Sequence, residues 1–168
     1  MSDATSKASS GRLAAGLAQG SISATAAVLA WLPTQAIGLR EGFWAAITAV
    51  AVAQTEFSAA TSTARDQFAG AAIGGAVAAG VSLFVATGAV GFGISVVIAI
   101  LACWLFDMVS AARLGGITSV IIFLVPHQGS AVGMTMSRIG EVGWGVLMAI
   151  VVVWCSTKAM RLIGRDRA

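Results

Sequence analysis

The stretch Gly38–Gly75, GLREGFWAAITAVAVAQTEFSAATSTARDQFAGAAIGG, decides the fold. An apolar segment opens on Phe43 and Trp44, runs into a Ser/Thr-rich turn, and is followed by Arg65-Asp66 and a new segment that begins Gly70-x-x-x-Gly74. Parts of this plan recur nearer the C-terminus. Ile47-Thr48-Ala49-Val50 matches Ile117-Thr118-Ser119-Val120, and Arg65-x-x-x-x-Gly70 matches Arg138-x-x-x-x-Gly143, in the same order. Chance similarity between two apolar hairpins would look much the same, because Ala, Ile, Gly and Val are common throughout.

Composition sets the solvent. Of 168 residues, 58% are hydrophobic and 10% charged, against about 45–50% and about 25% in soluble domains. Mean hydropathy is +0.91. So little charge cannot coat a soluble surface, and the expected class is an all-α integral membrane bundle. The formal net charge of +3 does not point to nucleic acid, because the basic residues lie at segment ends and in the tail. Cys103 and Cys155 sit in apolar runs without ligand spacing, so packing is their expected role.

Apolar runs predict six spans: Leu13–Leu32, Gly42–Phe57, Phe68–Val85, Phe92–Phe106, Leu114–Val125 and Val142–Thr157. Met1–Ser10 reads as an unstructured tail, Pro33 as the stop of the first span, Ser58–Thr63 as a turn and His127–Ser137 as a loop. The domain plan is a cytoplasmic tail over 1–12, a transmembrane domain over 13–158 and a basic cytoplasmic tail over 159–168. With both termini inside, Lys7, Arg12, Arg65, Arg113, Lys158, Arg161, Arg165 and Arg167 fall on one side, and Arg40 and Arg138 on the other. The positive-inside rule then places the termini in the cytoplasm. Two copies with an odd number of spans each must insert in opposite senses, the plan of inverted repeats. The second and fifth spans are short at matching places, which points to a transport site between them.

The run Gly42-Phe43-Trp44-Ala45-Ala46-Ile47-Thr48, the Arg65…Gly70…Gly74 start of the third span, and Arg138-x-x-Glu141 resemble the membrane domain of fusaric acid resistance-like (FUSC) and aromatic acid exporter proteins, over roughly Leu13 to Lys158. The resemblance implies a bacterial inner-membrane protein with six helices, some relatives of which export aromatic carboxylic acids. Larger relatives carry a soluble domain or a second membrane half, so the resemblance also implies a homo-oligomer or a partner membrane protein.

Ionisable groups within apolar segments are costly and each needs a reason. Glu56 is either a proton-coupling carboxylate or a helix-end residue in water. Arg65, with Asp66, either holds a substrate carboxylate or anchors the interface. Asp107 and Arg113 bracket a turn and would pair with each other or with Glu56 and Arg65, as a structural cluster or a gate. Arg138 and Glu141 share a helix face and form a surface pair or an anion gate. His127 is read as solvated or as a proton relay. Gly16-x-x-x-Gly20, Gly70-x-x-x-Gly74 and Gly140, Gly143 and Gly145 are expected at close helix contacts. Lys158, Arg161 and Arg165 form a stripe suited to anionic lipid. No phosphate loop, metal-protease helix or nucleophile elbow occurs, so no enzyme, metal or cofactor is expected. The functional expectation is proton-coupled efflux of small organic anions, with Arg65, Arg113 and Arg138 guiding the anion and Glu56, Asp107 and Glu141 as proton carriers. The competing expectation is a non-transporting scaffold or accessory subunit of an envelope complex.

Overall fold

The computed structural model describes the backbone of residues 2–39, 41–85, 88–125 and 130–165, with side chains between residues 9 and 162. Arg40, Thr87, Pro126, His127 and Arg167 lie outside the described residues, as do the side chains of Lys7 and Arg165. The described chain is helical: α1 Ser2–Ala36, α2 Phe43–Val52, α3 Phe57–Phe84, α4 Gly88–Leu105, a 3-10 turn Val109–Ala111, α5 Ala112–Leu124 and α6 Ala131–Arg165.

Four helical segments have the length and apolarity to cross a bilayer: Ser9–Ala36, Phe57–Phe84, Gly88–Leu105 and Ala131–Leu162. The second and fifth expected spans are the shorter apolar segments Phe43–Val52 and Val109–Leu124. At ~1.5 Å per residue α2 is about 15 Å long and α5 about 20 Å, against a hydrocarbon core of about 30 Å. Apolar side chains cover the outside, among them Leu17, Phe84, Leu105 and Phe106.

Several expected boundaries move. α1 begins at Ser2, so the expected N-terminal tail is helical from there, and Pro33 lies within the helix rather than after it. The segments expected as the Ser58–Thr63 turn and the end of the polar loop are the first turns of α3 and α6. Their hydroxyls turn back on the helix: Thr63 Oγ1 donates to the Ala59 carbonyl (2.9 Å) and Thr135 Oγ1 to that of Ala131 (2.9 Å). Ser130 Oγ accepts from the Gly133 amide (3.1 Å), capping α6. A polar stretch breaks a helix only when its side chains compete for the backbone, and here they are satisfied within it.

The two tight turns are built alike. α1 ends with Gly38 at φ 73, Leu39 N donating to Thr34 O (2.9 Å) and Gly38 N to Gln35 O (3.0 Å). α4 ends with Asp107 at φ 56, Met108 N donating to Cys103 O (2.8 Å) and Asp107 N to Trp104 O (3.1 Å). Both are Schellman caps with one left-handed residue, a place where Asp is tolerated.

α3 and α6 pack on each other at the centre. The α1–α2 hairpin lies against α6, and the α4–α5 hairpin against α3. The backbones of α2 and α5 stay apart, with α3 and α6 packed between them. Where Trp44 nears Ile121 and Ile122 of α5 the cluster is apolar, so the expected polar spot shared by the two short helices is not seen among the described residues. Small residues set these contacts. A side chain on Gly74 would strike the Gly115 carbonyl, one on Gly145 the Ala45 carbonyl, and one on Gly75 would lie 2.7 Å from Thr135 Cγ2. The expected contact at Gly70 and Gly74 is therefore present, against α5. Gly16, Gly20 and Gly140 have no such neighbour within this chain.

Each hairpin covers only part of its long helix. Trp144 Nε1 donates to Ala30 O (3.0 Å), the α1–α2 turn reaches α6 as far as Arg138, and α6 runs on from there to Ala131, about 10 Å further. Ser110 Oγ donates to Asp66 Oδ1 (2.7 Å) near the α4–α5 turn, and α3 runs on to Phe57, about 14 Å further.

Gly74→Leu is expected to destabilise the fold by roughly 1–3 kcal/mol through overpacking against a backbone that cannot yield. Gly80→Ala, in open space, is expected to be neutral or stabilising by up to about 1 kcal/mol. Thermal melts of the two variants in detergent check the contrast.

Candidate functional site

The candidate site forms where the α1–α2 turn meets the third turn of α6. Gly42 makes the meeting possible, since a side chain there would collide with Thr34. The chain then reverses, and Trp44 in the first turn of α2 presents its ring to Arg138. The guanidinium carbon lies 4.4 Å from the ring centroid, within cation–π range. Arg138 Nη1 donates to Glu141 Oε2 at 3.4 Å, and Ser137 Oγ donates to Glu141 Oε1 at 3.1 Å. Arg138 is 5% exposed and Glu141 7%. The reading of these residues as a surface pair is thereby overturned: the α1–α2 turn closes over that face of α6.

The pair is under-coordinated. Charge-assisted bonds of this type are usually ~2.7–2.9 Å long, and Arg138 carries five donors. Arg138 Nε and Trp44 Nε1 are buried without a hydrogen-bond partner, and so is Glu41 Oε2 in the turn above. Glu41 is close enough to act electrostatically on both Arg138 and Glu141. One carboxylate thus pairs with the guanidinium, a second lies within electrostatic reach of it, and two strong donors have no acceptor. Buried polar groups left in this state cost free energy, and each calls for a physical account.

Beside the pair opens a cavity of about 460 Å3 lined by Pro33, Thr34, Ile37, Leu39, Met136, Ser137, Gly140, Glu141 and Trp144. Its wall is apolar except where Glu141, Ser137 and Thr34 reach it. That size lies within the range of small-molecule pockets.

The other singled-out residues do not join this site. Glu56, Arg65 and Arg113 are exposed. Asp107 is also exposed, and its left-handed backbone caps α4. Arg138–Glu141 is the ion pair found among the described residues, so the expected network of Glu56, Arg65, Asp107 and Arg113 is not formed. Asp66 accepts from Ser110 instead. Lys158 stands over the Trp154 ring at 4.1 Å, an aromatic and basic pairing at the C-terminal end of α6. Sequence reasoning missed Glu41. It lies between Arg40 and Gly42 in a turn, and no spacing ties it to a helix face nearly a hundred residues away. Trp44 was legible only as an aromatic flank.

The model of the fusaric acid resistance protein-like family matches residues 24–152. The chain belongs to that family. The match takes in the last part of α1, all of α2–α5 and α6 as far as residue 152, with every residue of the Arg138 site. Membership makes the chain a transporter-like, multi-pass membrane protein of the fusaric acid resistance type. Searches of curated proteins and of solved structures returned no match.

Arg138→Ala is expected to cost about 3–5 kcal/mol, because it leaves Glu141 buried without its cation. Arg138→Met combined with Glu141→Gln is expected to recover most of that loss, and Arg65→Ala to leave the melting midpoint unchanged. Melting curves of the purified variants test all three.

Proposed function

We propose that the chain exports small organic anions, aromatic carboxylic acids foremost, across the inner membrane of a bacterium, with the cavity beside Arg138 as its substrate site. The single observation that carries this reading is an apolar cavity of about 460 Å3 next to a buried guanidinium with an unpartnered donor. The apolar wall suits a ring and the guanidinium suits its carboxylate.

The six helices are two inverted copies, α1–α3 and α4–α6. In support, exchanging the copies preserves the packing: α1 on α2 corresponds to α4 on α5, α2 on α6 to α5 on α3, and α1 on α6 to α4 on α3. The Schellman caps at Gly38 and Asp107 also correspond, and the tight crossings use Ala45 in one copy and Gly115 in the other. Ala45 and Gly115 are each two residues before the matching Ile-Thr pairs. In this reading α2 and α5 complete six crossings, the termini are cytoplasmic, and the Arg138 cavity opens toward the outer face. The uncovered start of α3, with Arg65, lies toward the cytoplasm as the inner approach. Coupling to the proton gradient goes with Glu141, which lines the cavity, rather than with Glu56 or Asp107. The helix face of Gly16 and Gly20, unoccupied within the chain, suits a further copy or a partner membrane protein.

Proteoliposomes preloaded with labelled benzoate or hydroxybenzoates are expected to release label faster than empty vesicles do. Gly140→Phe, which fills the cavity from a position in open space, is expected to abolish that flux while leaving the melting midpoint intact. Absence of flux above background for every aromatic acid tried would remove the reading. Cysteines placed at Ser62 and Ser130 report the orientation: an impermeant thiol reagent outside the cell is expected to label only the second.

A further inference from the structure

Resting on the substrate site just described, we infer that an anion entering it takes Arg138 away from Glu141, and that Glu141 takes up one proton as it lets go. Three observations point to this exchange. Arg138 and Glu141 are held by a long bond of 3.4 Å. Arg138 Nε, a donor of the guanidinium itself, and Trp44 Nε1, on the ring that the guanidinium overlies, are both buried without an acceptor, so Glu141 leaves donors unused that an incoming carboxylate could take. Glu141, but not Arg138, lines the cavity, so the carboxylate is met first and must yield.

Charge requires the proton. Among the described residues the groups around Arg138 are Glu141, on its own helix, and Glu41, from the α1–α2 turn. The described residues of α1 and α2 that pack here bring no other ionisable group. One carboxylate already pairs with the guanidinium and a second lies within electrostatic reach, so a substrate would make three. At low dielectric the added charge is not sustained, and protonating the displaced carboxylate returns the site to the charge it had before the anion entered. The exchange balances: the Arg138–Glu141 pair, an anion and a proton from water become an Arg138–anion pair and a neutral Glu141, whose hydroxyl stays beside Ser137. Glu41, a second carboxyl group within electrostatic reach of Arg138, disfavours an anion entering alone. Arg138 and Trp44 are the binding groups, and Glu41 acts through charge.

The sign of the linkage follows. Proton and anion bind together rather than excluding each other, so each raises the affinity of the other by the same factor. An acid that crosses with its proton crosses as a neutral species. The membrane potential then does no work on it, the proton carried out with it moves against an inward proton gradient, and the acid's own outward gradient must drive export.

The test uses the full chain in nanodiscs with benzoate as the probe and benzamide as the neutral control. Calorimetry in two buffers of different ionisation enthalpy counts protons. Uptake approaching one proton per benzoate is expected, with a dissociation constant that rises by about tenfold per pH unit between about pH 6 and pH 8, where benzoate itself is ionised. Glu141→Gln is expected to abolish both the uptake and the pH slope while still binding benzoate. Glu141→Asp is expected to restore both, and Glu41→Gln to tighten benzoate binding at high pH. Benzoate binding without proton uptake, or with a wild-type slope in Glu141→Gln, overturns the exchange and leaves the substrate site standing. If Glu141→Gln does not fold, the wild-type proton count and the Glu141→Asp variant decide alone. Failure of the wild-type chain to bind benzoate or any other aromatic acid overturns both.

Discussion

Close approach of backbones at glycine governs this structure. Gly74 lies against the Gly115 carbonyl and Gly145 against that of Ala45. These crossings let a hairpin press flat on each long helix. In a bilayer apolar surface gains nothing by leaving lipid for another apolar surface, so helices associate through close packing and interhelical hydrogen bonds. Both occur here. Ser119 Oγ reaches the Gly74 carbonyl at 3.4 Å, and Thr135 Oγ1 reaches that of Gly75 at 3.1 Å. Without these crossings the α1–α2 turn would stand off from α6, and Arg138 would face solvent or lipid.

The site depends on that placement. Neither Arg138 nor Trp44 is unusual in its own helix. Their juxtaposition at 4.4 Å arises because α2 is only ten residues long, so its first turn comes level with the third turn of α6. A longer α2 would carry its aromatic start past the pair. The short helix, read from the sequence as a pointer to a transport site, contributes Trp44 to the Arg138 cluster, with α6 and the α1–α2 turn as its partners rather than α5. α3 and α6, packed on each other at the centre, keep α2 and α5 apart.

The resemblance seen in the sequence and the family match agree over nearly the same residues, because both rest on the hairpin that carries Phe43 and Trp44 and on the helix that carries Arg138. Function within the family is then a question of the cavity. An apolar wall and an under-coordinated cation suit the amphipathic acid proposed as substrate, and the surplus carboxylate is the group that the proposed exchange protonates. These properties come from a few atoms left without partners, Arg138 Nε, Trp44 Nε1 and Glu41 Oε2, in an interior where most polar atoms have one.

The sequence by itself determined the helical class, the apolar exterior and the small-residue contacts at Gly70 and Gly74, because composition and local periodicity act within a few turns of chain. It also marked the shortness of α2 and α5, since that is a matter of run length. It misplaced the starts of α3 and α6, where hydroxyls satisfied within the helix look like a loop when only polarity is read. What only the tertiary structure decided is which ionisable groups meet. Glu56, Arg65, Asp107 and Arg113 match Arg138 and Glu141 in type, yet they stay exposed while those two are enclosed with Glu41 and Trp44. Burial and partnership of a charge depend on the helix that crosses over it, and that helix is set by contacts nearly a hundred residues distant in the chain.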